Sequence, residues 1–376
     1  MIETMTARQR VTAAINHREP DRLPIDLGMY TASGISAFAY YALRKHLGLP
    51  VDEIEIIDGV QLTARVEADV LRRVHGDCLT LRPPAVAYRR WLPREPYSFK
   101  VPDHYQPVMN ERNEWVVEQD TRRMRMPEGG YFFDGDWISF DNPFDEQVFP
   151  RYVAEAERIY KETDYFTAFR GFHPFFQANL DYFCDMITDP EPLIEENGRL
   201  LQRELARGRL LVEHMNGYVG AVCLSGDLGS QQGPLCRPDA FAEVVLPFLR
   251  QLCQFFHANS DMKVFLHSCG AIEPLLPLLI ECGIDIINPV QISAAGMDPM
   301  MLKQKYGEKL VFWGGGVDTQ NVLGQQTPAA VGEHVRQMVR IFKPGGGFIF
   351  NPVHNIMGNV PPENILAAFD AAYAAG

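Results

Sequence analysis

Short apolar runs that end in glycine, proline or a polar cluster alternate along this chain with longer stretches of helical apolar spacing. Eight of the short runs read as strands: Leu23–Leu27, Cys78–Leu81, Phe166–Phe169, Val219–Leu224, Lys263–Leu266, Asp285–Asn288, Leu310–Phe312 and Gly347–Phe350. Their apolar character is continuous rather than alternating, as expected of parallel strands buried on both faces. Between the last of them lie amphipathic segments such as Ile272–Cys282 and Pro328–Phe342, each closed by glycine or proline. This rhythm implies right-handed βαβ units, and eight of them close a (β/α)8 TIM barrel, the predicted fold. A doubly wound open sheet is the competing layout, but no G-x-G-x-x-G follows the first strand.

Helical sequence precedes the first strand, so N-terminal helices are expected. Residues 84–148 break the rhythm with prolines, arginines and aromatics, and with alternating stretches at Tyr97–Val101 and Glu114–Glu118. They predict a β-hairpin excursion over the barrel mouth, too short and polar for a core of its own. Residues 1–376 therefore read as one domain. No stretch approaches the ~20 apolar residues of a membrane span, and the opening residues lack the apolar block of a secretory signal. Seven scattered cysteines suit a reducing cytoplasm. A net charge of −13 without any basic run argues against a nucleic-acid partner. A small-molecule substrate is the expectation, and a homodimer stays open.

In such a barrel, chemistry gathers where strands end and βα loops begin. Five consecutive strands deliver polar groups to that rim: Ser225-Gly226-Asp227 with Gln231 beyond, His267-Ser268-Cys269, Asn288-Pro289-Val290-Gln291, Gly314 to Asp318, and Asn351-Pro352-Val353-His354. Alternation puts His267 and Cys269 on one side of their strand end, and imidazole with thiolate is a zinc-binding pair. His354 is the candidate third ligand, leaving an open position of the catalytic kind. Asp227 and Asp318 are candidates for exchanging a proton or orienting the substrate. Gln231, Gln291, Asn351 and Tyr131 are candidates for touching it.

At these residues the chain resembles the uroporphyrinogen decarboxylase superfamily, which includes the cobamide-dependent methyltransferases. The resemblance begins at Thr6–Val11 and Arg18–Pro24 and ends at Pro361–Ile365. The decarboxylases follow their first strand with an Arg-Gln-Ala-Gly-Arg loop whose arginines hold the tetrapyrrole carboxylates. Here Asp26-Leu27-Gly28-Met29-Tyr30-Thr31-Ala32 contains no arginine. The methyltransferases bind zinc through His-x-Cys and a later Pro-x-Cys-Gly. His267, Cys269 and Gly270 match the first part, and His354 stands where the second cysteine would be.

The resemblance implies a zinc- and corrinoid-dependent methyltransferase or demethylase. It would act on a small methylated compound, methoxylated ones included, with the methylated corrinoid carried on a partner protein. A decarboxylase of a carboxylated small molecule and a non-catalytic barrel that binds a corrinoid or its protein are the alternatives. Each missing arginine contact removes about 1.5–3 kcal/mol of binding. The protein is therefore expected to convert no uroporphyrinogen to coproporphyrinogen in an anaerobic assay, and clear turnover would restore the decarboxylase reading.

Overall fold

The computed structural model describes residues 3–376. The excursion comes first among the strands. β1 (Tyr88–Trp91) and β2 (Phe99–Pro102) form an antiparallel pair, with Arg89 opposite Val101. β3 (Val108–Met109), β4 (Glu114–Gln119), β5 (Arg122–Pro127) and β6 (Asp134–Gly135) form a four-stranded antiparallel sheet. The excursion is thus two small sheets rather than one hairpin. Isolated residues such as Trp91, Phe99, Met124 and Phe133 bury their side chains in the main hydrophobic core, which is how so short a segment keeps its shape.

The main sheet is parallel and six-stranded: β7 (Ala168–Phe172), β8 (Ala221–Ser225), β9 (Lys263–His267), β10 (Ile286–Asn288), β11 (Val311–Trp313) and β12 (Phe348–Ile349), neighbours in chain order. Helices lie between them, among them Leu246–Asn259 and the predicted Pro328–Phe342, capped by the Thr327 side chain. The expected Ile272–Cys282 helix is a 3-10 turn at Glu273–Leu275 followed by Leu276–Cys282. Pro274 and Pro277 interrupt its hydrogen bonding, and Gly283 ends it at φ 101°. The result is a TIM-barrel-like α/β fold.

The first two predicted strands, Leu23–Leu27 and Cys78–Leu81, do not form ladders. Each leaves one parallel bridge, Ile25 to Phe350 and Cys78 to Phe166. Backbone bonds at each bridge tie them to their neighbours, among them the Asp26 amide to the Phe350 carbonyl at 2.8 Å and the Leu79 amide to the Phe166 carbonyl at 2.8 Å. Side chains take other amides in and beside the first segment. The Asp77 carboxylate accepts from the Ile25 amide at 2.9 Å, and Asp26 accepts from the Met29 amide at 2.9 Å. Asp26 also accepts from the Trp313 indole at 2.8 Å, which turns the chain inward just after the bridge.

Two-residue alternation sorts the sheet's side chains into two cores. Val222, Leu224, Val264, Leu266, Ile287 and Phe312 join the helices. Ala221, Cys223, Phe265, Ile286, Val311, Trp313 and Ile349 form a separate cluster with Val11, Ala14 and Ile15 of the helix Ala7–Ile15. That helix is started by a Thr6–Gln9 capping box. It is anchored by Arg10, 1% exposed, which pairs with Asp21 at 2.7 Å and Asp77 at 2.6 Å. Arg22 reaches the other Asp77 oxygen at 2.7 Å. No helix among the described residues is long and apolar enough to cross a membrane, and all seven cysteines are free.

Asp77 is the carboxylate shared by two buried guanidinium groups and one strand amide. Removing its charge takes a buried partner from both, leaving Arg10 with Asp21 and Arg22 with Glu3, a loss of about 3–5 kcal/mol. Asp77→Asn is expected to lower the unfolding free energy by that amount, seen as a lower denaturant midpoint with an unchanged slope. A difference under ~1 kcal/mol would show that the network does not anchor the N-terminal helix.

Candidate functional site

The alternation that puts Phe265 in the inner core carries on to His267 and, past the strand end, to Cys269. The ladder pairs Ser225 with His267 and His267 with Asn288, so three strands bring polar groups to one level. Beneath them the rings of Phe166, Trp313 and Phe265 touch in sequence, with centroids 6.0 and 5.6 Å apart. Tyr30 lies against this floor, 5.8 Å from Phe265 and 5.5 Å from the His267 ring.

Hydrogen bonds fix the His267 tautomer. The Asn288 amide nitrogen donates to the Trp313 carbonyl at 2.9 Å, which leaves its oxygen toward His267. That oxygen, 2.8 Å from Nδ1, can only accept, so Nδ1 carries the proton and Nε2 keeps a free lone pair. Nε2 stands 3.9 Å from Cys269 Sγ and 3.8 Å from Asp227 Oδ1. The Asp227 carboxylate is held by the Cys269 amide at 2.9 Å, and the Ser268 hydroxyl accepts from the Leu228 amide at 2.9 Å. These bonds draw the loops after β8 and β9 together. Gly270, at φ +96°, makes the approach feasible: a Cβ there would lie 2.2 Å from the Gly229 backbone.

The donor atoms of Asp227, His267 and Cys269 all lie within 4.8 Å of one another. Around a tetrahedral zinc, N, S and O donors sit about 3.4–3.6 Å apart, so the two pairs to Nε2, at 3.9 and 3.8 Å, are a few tenths of an ångström longer than a bound ion would set. Burial pushes the His267 imidazole below its ordinary pKa, against the opposing pull of Asp227 and Asn288, which keeps it neutral. Burial, and then the Asp227 charge, push the Cys269 thiol well up. A cation between them would reverse that second effect and favour the thiolate. The donor set therefore fits a thiophilic divalent metal.

A cavity of about 660 Å³ lies against this cluster, lined by Tyr30, Trp137, Asp141, Arg170, Phe172, Ser225 and His354 among others. A second one, of about 300 Å³, shares Cys269 and His354 with it and is lined by Gln231 and Gln291. The expected third ligand, His354, thus borders the site but is outside the tight donor group, whose third member is Asp227. The reason is topological: β8 is hydrogen-bonded to β9, whereas β12 is separated from it by β10 and β11. Burial, and then the neighbouring His267, hold the His354 imidazole below its ordinary pKa.

Other candidates have local work. The Asp318 carboxylate accepts from the Gln320 and Asn321 amides at 2.8 and 3.1 Å and lines neither cavity, so the assignment of a proton-transfer role is corrected to a turn. Asn351, fully buried, donates to the Asp26 and Ser33 carbonyls at 3.2 and 3.1 Å instead of facing a substrate. Tyr131 packs on Phe38, 5.4 Å between centroids, with Arg94 over its ring at 4.9 Å, and lines neither cavity. Gln291 uses its oxygen to hold the Gly270 amide at 2.7 Å, leaving its amide nitrogen for the smaller cavity.

Sequence reasoning passed over Tyr30, Asp141 and Arg170. Arg170 directly follows the predicted strand Phe166–Phe169, so the rule that picked His267 would have found it. Tyr30 sits in the very loop singled out for its missing arginines. Asp141 arrives from the end of the excursion, and no local pattern announces it.

Residues 211–375 match the family model for uroporphyrinogen decarboxylase (URO-D). A methyltransferase from Methanosarcina mazei shares the fold over 98% of both chains, with a TM-score of 0.59 at 14% identity. A crystal structure of Dispersin B covers 94% of this chain and 97% of its own at 9% identity, but its TM-score of 0.35 carries no argument. The search of curated proteins found no match. The family match thus covers the C-terminal part of the chain, and the chain as a whole shares the fold of that methyltransferase.

Because Asn288 fixes which His267 nitrogen is free, Asn288→Ala is expected to weaken zinc binding by roughly 10–100-fold, measured by titration of chelator-treated protein. His354→Ala is expected to keep close to the wild-type affinity. Loss in His354→Ala as large as in Cys269→Ser would return His354 to the ligand set.

Proposed function

We propose that the protein is an enzyme that moves a methyl group between a small methylated compound and a corrinoid carried on a partner protein, using zinc held by His267, Cys269 and Asp227. The superfamily supports an enzyme of the methyltransferase or decarboxylase kind. One observation favours methyl transfer: a free imidazole nitrogen, a partly buried thiol and a carboxylate converge within 4.8 Å on the wall of a substrate-sized cavity. The reading takes the six-stranded sheet and its two bridged segments as a closed eight-stranded barrel, with this cavity at its mouth.

Bound zinc would supply a Lewis acid that stabilises charge on the heteroatom from which the methyl group departs. The protein's own groups do the remainder. Asn288 keeps the His267 lone pair available, and the Cys269 thiol must release its proton for the ligand set to form. The Asp227 side chain is half exposed, so that proton has a path to solvent. His354, neutral and at the junction of the two cavities, can hydrogen-bond a substrate heteroatom beside the cluster. Tyr30, Trp137 and Phe172 wall the larger cavity and keep water from the reacting carbon.

The second reading, metal-free decarboxylation of a small acid, is supported by Arg170 in the same cavity. The two separate in one anaerobic experiment. Zinc-loaded protein is incubated with cob(I)alamin and a panel of methoxylated, N-methylated and S-methylated compounds while the cobalamin spectrum is followed. Formation of methylcobalamin with at least one class, reduced at least ~100-fold in Cys269→Ser, is the expected result. Release of carbon dioxide from small acids without any methyl transfer would establish the second reading instead.

A further inference from the structure

We infer that Arg170 is the anion-recognition residue of this cavity, so that the methylated substrate carries a single carboxylate; the inference rests on the cavity being the methyl-transfer site. The charged groups at that pole are Arg82, Arg170, Asp58 and Asp141. Asp58 accepts from the Val60 and Gln61 amides at 3.1 and 2.7 Å. Asp141 accepts from the Tyr152 hydroxyl at 3.0 Å and pairs with Arg82 at 3.1 Å. Both acids are thus answered without Arg170, whose only ion pair among the described residues is a long 3.7 Å contact to Asp141.

The Arg170 side chain is 26% exposed, against 8% for Arg82, and it lines the cavity whereas Arg82 does not. A guanidinium with a planar fork of N–H donors, whose neighbours are the long Asp141 contact and the Tyr152 hydroxyl, keeps donors for a carboxylate on its cavity side. The cavity's other charged wall groups, Asp141 and Asp227, are acidic. A second carboxylate on the substrate would meet repulsion there, which sets the preference for a monoanion. The methyl-bearing end then lies toward His267 and Cys269, with the Tyr30 ring between the two poles, 5.5 Å from that of His267.

Acetate, benzoate and 3-methoxybenzoate are the probes, each compared with its own amide by isothermal titration calorimetry. At least one carboxylate should bind at least ~10-fold more tightly than its amide. Arg170→Gln should remove that difference and leave amide binding and zinc content unchanged, while Arg170→Lys should keep part of it. Asp141→Asn, which frees the guanidinium, should strengthen carboxylate binding. Carboxylate binding that persists in Cys269→Ser would show that Arg170 and not zinc holds the anion. This readout needs neither turnover nor metal, so a failure of methyl transfer leaves it standing. The inference is overturned if no carboxylate binds better than its amide, if Arg170→Gln leaves the difference intact, or if Cys269→Ser abolishes it.

Discussion

Everything at the candidate site depends on the two-residue alternation of one buried strand. Phe265 must face the inner core, where it touches Trp313 and Tyr30. Once it does, His267 faces the space above that core, and Cys269 follows from the next position on the same side. A slip of one residue would send Leu266 inward and both candidate ligands toward the helices. The aromatic floor and the donor cluster are therefore specified by the same packing, and the site is as rigid as the core it stands on.

Hydrogen bonds then convert position into chemistry. The path from the Trp313 carbonyl through Asn288 to His267 crosses three neighbouring strands and decides which imidazole nitrogen is free. The Cys269 amide holds Asp227, and Gly270 lets the two loops meet. At the opposite pole of the cavity, the excursion contributes Asp141 and β7 contributes Arg170, which adjoin at 3.7 Å. The excursion is thus part of the cavity wall and shares the main core, rather than an ornament on the rim.

Much of this was legible in the sequence because the signals were local. Continuous apolar runs marked all six laddered strands to within a few residues, and the strand exits marked His267, Cys269 and Asp227. What escaped notice was set by contacts distant in the chain. The Leu23–Leu27 and Cys78–Leu81 runs look like strands, yet each pairs at a single bridge, and the Asp77 carboxylate takes the Ile25 amide in the first. His354 is named as third ligand from its strand exit and its place in the family's second motif, while hydrogen bonding between β8 and β9 sets which group lies beside His267. Asp318 and Asn351 are polar residues at strand exits whose bonding turns them to local structure.

The central claim is that one partly buried thiol, one imidazole and one carboxylate share a metal. X-ray absorption at the zinc edge of the loaded wild-type protein tests it most directly. The account predicts one sulfur neighbour at about 2.3 Å with nitrogen and oxygen neighbours near 2.0–2.2 Å, and scattering typical of a single imidazole. A shell without sulfur, or with two imidazoles, would contradict the assignment of Cys269 and Asp227 beside His267.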